Sequence, residues 1–192
     1  MRDQIQKWLL AGVLLGIWVP LHAQEMQIPE AIQVKIFLKA LTYDRALVSR
    51  TDKSIQIGII FNSKSKTSVT NKEKIGANLR ANSTKTISGI PFRFRCIDIS
   101  SVSNLNELVG TEHFDIFYVT PGNTKNLNEI IEISQQHHIR TMTGVEAYVE
   151  KGIAVGLVVN DKKPQIIINL NSAKAEGSDY NSHLLRLCKV LQ

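Results

Sequence analysis

The sequence predicts a three-layer α/β fold: a mainly parallel sheet of the Rossmann-like or flavodoxin-like kind, with an antiparallel hairpin near the C-terminus. Three observations carry this. Strand-like and helix-like segments alternate four times between Ser54 and Glu150, the pattern that puts helices on both faces of a parallel sheet. Gly152 to Leu170 reads as two apolar runs around the polar turn Asn160-Asp161-Lys162-Lys163. Neither run alternates apolar with polar residues, so both strands are expected to be covered on two faces.

The chain opens with the layout of a secretory signal. Arg2 and Lys7 flank an uncharged apolar run from Trp8 to Leu21, and Ala23 supplies a small residue before polar Gln24-Glu25. The run is shorter than the ~20 residues that span a bilayer. Residues 1–23 are expected to form a signal peptide cleaved near Ala23, leaving 24–192 as one exported domain with a sizeable core.

Pro29-Glu30 suits the first turn of a helix. Ile32, Ile36, Ala40, Tyr43 and Leu47 recur at helical spacing, and Val34, Phe37, Leu38 and Leu41 widen the stripe. This predicts one largely buried helix reaching about Arg50. Ser54 to Phe61 is a strand. A polar loop over 62–70 leads to a helix over 71–82, whose weak stripe of Ile75 and Leu79 places it at the surface. Gly89 and Pro91 introduce a strand over 92–99 in which Phe92, Phe94 and Cys96 alternate with Arg93 and Arg95, the mark of a strand with one polar face at a sheet edge. A short helix over 103–109, a buried strand over 113–120, a helix over 125–138 capped by Thr124, a strand over 139–142 and a helical turn over 145–150 complete the repeat. After the hairpin come a short helix over 171–176 and a last helix capped by Ser178 or Asp179, with Tyr180, Leu184, Leu187, Cys188 and Leu191 facing inward. The first and last helices are expected on the same side of the sheet.

The formal net charge is +6, and Lys64, Lys66, Lys72, Lys74, Arg80 and Lys85 cluster. Nucleic acid is not the expected partner. An exported chain rarely meets it, and Phe61 is the sole nearby aromatic for base stacking. A solvated helix face, or a patch facing an acidic partner or an anionic membrane, fits the cluster better. Two cysteines, Cys96 and Cys188, leave two readings open. A disulfide closing that long loop would add roughly 4 kcal/mol, and the alternative is two buried thiols.

No Walker loop, GxGxxG, GxSxG, HExxH or CxxC occurs, so no catalytic residue, metal site or cofactor is predicted. Asp115, inside a buried strand, reads as a hydrogen-bonded structural carboxylate. Binding is better supported. In an open parallel sheet the loops at the carboxyl ends of the strands meet at a crevice. Asn62-Ser63, Thr120-Pro121-Gly122-Asn123 and Thr143-Gly144 are three such loops, small and polar. Two lead into helix N-termini, which attract anions. Asn62, Ser63, Thr120, Gly122, Asn123, Thr143 and Gly144 are therefore the candidate ligand residues.

The C-terminal half carries a further pattern. Gly152, Val155, Gly156 and Leu157 precede the turn, and Ile168-Asn169-Leu170, Ala173, Gly177, Ser182, Leu184-Leu185 and Leu187 follow it. Upstream, Lys35, Phe37 and Leu38 lie in the first helix, and Ser88-Gly89-Ile90-Pro91 leads into a strand. This set resembles the YfiR/HmsC-like family of periplasmic proteins. The first helix departs from that family: Lys39 and Leu41 replace aromatics, and Thr42-Tyr43-Asp44-Arg45 runs on without a Trp-Pro. The resemblance implies a periplasmic regulator without enzymatic activity or cofactor, acting in cyclic-di-GMP signalling. It would bind and restrain an inner-membrane diguanylate cyclase or sensor. The divergent helix makes Lys39, Tyr43, Asp44 and Arg45 the candidate partner residues. Homodimerisation is suggested by the resemblance alone. The alternative is a small-anion binding protein resembling one lobe of a periplasmic solute receptor.

Overall fold

The computed structural model describes residues 28–51 and 53–192. The expected signal peptide and its cleavage point near Ala23 lie outside the described residues. Along the chain run α1 (Glu30–Leu41), α2 (Arg45–Arg50), β1 (Ile55–Phe61), α3 (Lys66–Ala81), β2 (Thr86–Ile87), β3 (Ile90–Asp98), α4 (Leu105–Thr111), β4 (Ile116–Val119), a 3-10 turn (Thr124–Asn126), α5 (Leu127–His137), β5 (Arg140–Thr143), α6 (Glu146–Glu150), β6 (Val155–Asn160), β7 (Lys163–Asn169), α7 (Leu170–Ala175), α8 (Ser182–Leu187) and β8 (Lys189–Leu191).

The strands form one sheet in the order β2-β3-β1-β4-β5-β6-β7-β8. β3, β1, β4, β5 and β6 are parallel. β7 returns antiparallel to β6, with Val155 opposite Ile168 and Asn160 opposite Lys163. Side chains alternate across each strand, so one strand feeds two cores. Ile55, Ile57 and Ile59 of β1 point to a core shared with Leu41 of α1, Ile75 of α3 and Leu184 of α8. Ile60 points to the opposite core, with Leu105 of α4, Ile130 of α5 and Tyr148 of α6. The three-layer α/β class read from the sequence is the observed fold, and the first and last helices share one face.

Four local expectations are corrected. The first helix stops at Leu41 and restarts at Arg45, because the Asp44 carboxylate accepts the N–H groups of Ala46 and Leu47 and caps a second helix. α3 starts at Lys66, with Ser65 as its cap, and packs beside α1 on the same face of the sheet. Its inner face carries buried Ser68 and Asn71, which blur the apolar stripe. Thr124 does not cap α5; its hydroxyl meets Tyr148 Oη at 3.2 Å. The last helix ends at Leu187, and the chain finishes as β8, parallel to β7. Leu187 is 62% exposed rather than inward.

The two cysteines are free. Cys96 lies on β3 and Cys188 just before β8, with β1, β4, β5, β6 and β7 between those strands. At ~4.8 Å per strand step that separation exceeds 20 Å, far beyond the ~7 Å Cα limit for a disulfide. The open reading of a Cys96–Cys188 bond within one chain is therefore excluded. Buried thiols are not the outcome either, since Cys96 is exposed. Asp115 is the structural carboxylate expected. It sits at the N-terminal end of β4 and accepts from the Gln56 N–H at 2.8 Å and the Thr51 hydroxyl at 3.2 Å.

Candidate functional site

The chain leaves β1 for β3 on one side and reaches β4 on the other, so the topological switch point lies between β1 and β4. Loops after β1 and β4 meet there, at the N-terminus of α3. Each predicted residue can be placed. The Asn62 N–H donates to Ser68 Oγ at 2.8 Å, and the Ser68 hydroxyl lies 2.6 Å from Thr120 Oγ1. Thr120 in turn donates to the Ile60 carbonyl at 3.0 Å. Donors therefore run in one direction, Asn62 to Ser68 to Thr120 to Ile60. Asn123, fully buried, closes the arrangement by donating Nδ2–H to the Thr120 carbonyl at 3.0 Å and to Thr120 Oγ1 at 3.1 Å. Its backbone N–H donates to Tyr148 Oη at 2.9 Å, while its Oδ1 is buried without a hydrogen-bond partner.

Gly122 takes φ +84°, and a Cβ there would sit 2.4 Å from Ser65 Oγ. The second loop therefore lies directly on the α3 cap, an approach that glycine alone permits. Thr143 donates to the Val119 carbonyl at 2.8 Å and accepts from the Val145 N–H. Its neighbour Gly144 follows directly at the end of β5. Burial pushes the Tyr118 phenol far up, so it stays a neutral donor, and its O–H donates a hydrogen bond to Gln33 Oε1 at 2.9 Å.

Ser63 stands apart. Its N–H donates to Asp98 Oδ1 at 3.0 Å, and its hydroxyl meets Ser100 Oγ at 2.9 Å. Partial burial pushes the Asp98 carboxyl up. The hydrogen bonds from Ser63, Ser101 and Ser100 outweigh that and hold it well below the usual carboxylate range. The structure thus joins Asn62, Thr120, Gly122 and Asn123 in one packed, hydrogen-bonded cluster at the strand ends. Thr143 and Gly144 flank it, and Ser63 lies outside it. Thr120, Asn123 and Thr143 are fully buried, and the cluster is made of hydroxyls and amides committed to one another, with no acid–base pair. Among the described residues no group of three or more His, Cys, Asp or Glu could hold a metal ion. Ser65 and Ser68 belong to the same cluster and lie outside the predicted set; the available signal was Ser65 itself, a preferred N-cap residue ahead of the Ile75 helix.

The candidate partner residues separate into two kinds. Lys39 is exposed, with Nζ 5.2 Å from the centre of the Tyr43 ring, and Arg45 pairs with Asp179 at the surface at 2.8 Å. Tyr43 is half-buried. Asp44 is fully buried and ion-paired to Arg140, so it is not available to a partner. Beside Lys39, a groove of about 310 Å³ between α1 and β2 is lined by Lys35, Leu38, Thr42, Lys85 and Thr86.

Three solved structures share the fold. A conserved domain protein from Vibrio cholerae O1 biovar El Tor matches at TM-score 0.61 and 14% identity over 85% of this chain. A protein from Streptococcus pneumoniae, described as an ABC domain in complex with L-Trp, matches at 0.55 and 16% over 85%. A substrate-binding protein with adhesive properties from Clostridium difficile, in its ligand-free open form, matches at 0.52 and 17% over 72%. This chain spans 60%, 62% and 54% of their lengths. None of the curated proteins compared matches. The sequence model of YfiR/HmsC-like proteins matches residues 47–189, from α2 into β8 and across both cores, and the chain belongs to that family.

Proposed function

We propose that the protein is a non-enzymatic periplasmic regulator that binds an inner-membrane signalling protein, of diguanylate cyclase type or a sensor kinase, and holds down its output. The observation that carries this reading is the family match over residues 47–189. The secretory layout of residues 1–23, with 24–192 as the exported regulator, supports it. A domain of this kind acts by differential affinity, docking on the inactive state of its partner better than on the active one. Lys39, Tyr43 and Arg45 contribute to the docking surface, and self-association into a homodimer belongs to the same reading. Crosslinking in the periplasm tests it. An inner-membrane signalling protein should be recovered covalently attached to this chain; recovery of none would sink the proposal.

A second reading draws on two fold neighbours, one described as a complex with L-Trp and one as a substrate-binding protein. Here a small anion occupies the crevice at the switch point, within reach of the α3 N-terminus. A thermal-shift screen with small anions would support it if one stabilises the protein and replacing Asn123 or Thr143 removes the effect.

A further inference from the structure

We propose that the outer edge of β3 is a docking strand for an extended, acidic segment of a partner protein. The inference begins with backbone parity. The Ile99 N–H donates to the Phe61 carbonyl at 2.8 Å. Strand residues alternate in direction, so Ile97, Arg95 and Arg93 also turn their backbone groups to β1. Phe92, Phe94, Cys96 and Asp98 turn theirs away from it. On that outer side β2 pairs with Ile90 and Pro91 and goes no further. From Phe94 to Cys96, among the described residues, the outward N–H and C=O groups of β3 meet no strand, and beyond them the Asp98 carbonyl accepts from the Ser101 and Val102 N–H groups. A row of unpaired backbone groups is a template for one more strand.

Charge selects the occupant. Arg93 and Arg95 are exposed on one face of the edge. On the other, the Arg80 guanidinium lies 5.6 Å from the centre of the Phe94 ring, and Lys72 and Arg80 act electrostatically on the Cys96 thiol. Glu112 pairs with Arg95 and Glu73 with Lys72, while Arg80 and Arg93 have no carboxylate partner among the described residues. Past β2 the basic surface continues into the groove of Lys35, Lys39 and Lys85. An incoming strand with acidic side chains on its two faces would meet arginine on both sides of the sheet. A second copy fits poorly, because antiparallel pairing of two β3 edges sets Arg95 against an arginine of the other copy.

The inference rests on the partner-binding reading above, but its test does not need the membrane partner. The probe is a short capped peptide of repeating glutamate-glutamate-valine-valine, which sets glutamate on both faces of a strand, titrated into the labelled protein and followed by amide NMR. The Phe94 and Cys96 amides should shift saturably. Cys96→Pro removes an outward N–H while sparing the bonds to β1, a position where proline is tolerated on an edge strand. It should weaken binding about tenfold or more, and Cys96→Ser should leave it unchanged. Arg93→Glu combined with Arg95→Glu should abolish binding and keeps the test open if the proline variant does not fold. The proposal is overturned if no saturable shift occurs at these amides, if Cys96→Pro binds normally in a folded state, or if a lysine–valine peptide binds equally well. It is also overturned if the protein alone self-associates through the same amides. Any of these outcomes leaves the membrane crosslink to be judged separately.

Discussion

Arg140 donates its Nε–H to Asp44 Oδ2 at 3.0 Å, and both side chains are buried. The same guanidinium donates to the His138 and Gly177 carbonyls at 3.1 and 3.3 Å. Asp44 Oδ1 accepts from the N–H groups of Ala46 and Leu47, and from that of Asp179 at 2.9 Å. One ion pair therefore ties the start of α2, the start of β5 and the approach to α8. Asp44, which the sequence places on a docking helix, is instead a junction of the fold.

Breaking that junction should be costly. Asp44→Ala leaves a buried guanidinium without its counter-charge, and losses of about 3–5 kcal/mol are typical of such a change. Urea denaturation of the variant measures it. A loss under about 1 kcal/mol would show that Arg140 finds water or another acceptor.

Glu176 gives the stability a pH dependence of defined sign. It is fully buried beside Thr141, whose N–H and hydroxyl both donate to it. Burial pushes its carboxyl up to about 8 from 4.5, against the lowering effect of the Thr141 bonds. A folded pKa above the unfolded one means the contribution is complete below about 4.5 and is lost as pH rises through about 8. Stability of the native protein should fall across that window, and Glu176→Gln should flatten the fall. Equal slopes for the two proteins in pH-resolved denaturation would contradict this.

Gly156 is a packing requirement rather than a turn. A Cβ there would lie 2.4 Å from Val149 Cγ2, with the Thr143 carbonyl at 3.4 Å. Gly156→Ala should cost about 1–3 kcal/mol by overpacking. Adding Val149→Ala should recover part of that loss, and a double-mutant cycle reads the coupling. Purely additive effects would place the clash elsewhere.

The thiols should titrate as two free groups. Cys96 is exposed, so it should react before Cys188, which is half-buried and whose thiol is pushed up by burial to about 11. A non-reducing mass measurement showing two fewer protons in monomeric protein would contradict the separation of β3 from β8.

Periodicity reveals what burial makes periodic. The layered class and the hairpin after Gly152 follow from apolar spacing and appear in the structure, and the Arg93/Arg95 strand lies next to the edge, with only the two-residue β2 outside it. That Asn62, Thr120 and Asn123 gather at the strand ends was legible because strand ends and small polar residues coincide there. Polar burial was not legible. Asp44, Ser68, Arg140 and Glu176 look like surface residues in a one-dimensional pattern, yet each is buried because its partner arrives from a distant segment. The last turn failed for a related reason. Leu187, Cys188 and Leu191 fit a helical stripe, but the edge of β7 offers Lys189 to Leu191 backbone partners that the helix would not supply.

Restraint of a membrane signalling partner, as proposed above, is read in that partner's own output. The most direct test adds the purified protein to inner-membrane vesicles bearing the crosslinked partner and follows that partner's output, cyclic-dinucleotide synthesis or autophosphorylation. The output should fall saturably as the protein is added. An output that stays constant or rises, with the protein bound, would rule the proposed restraint out.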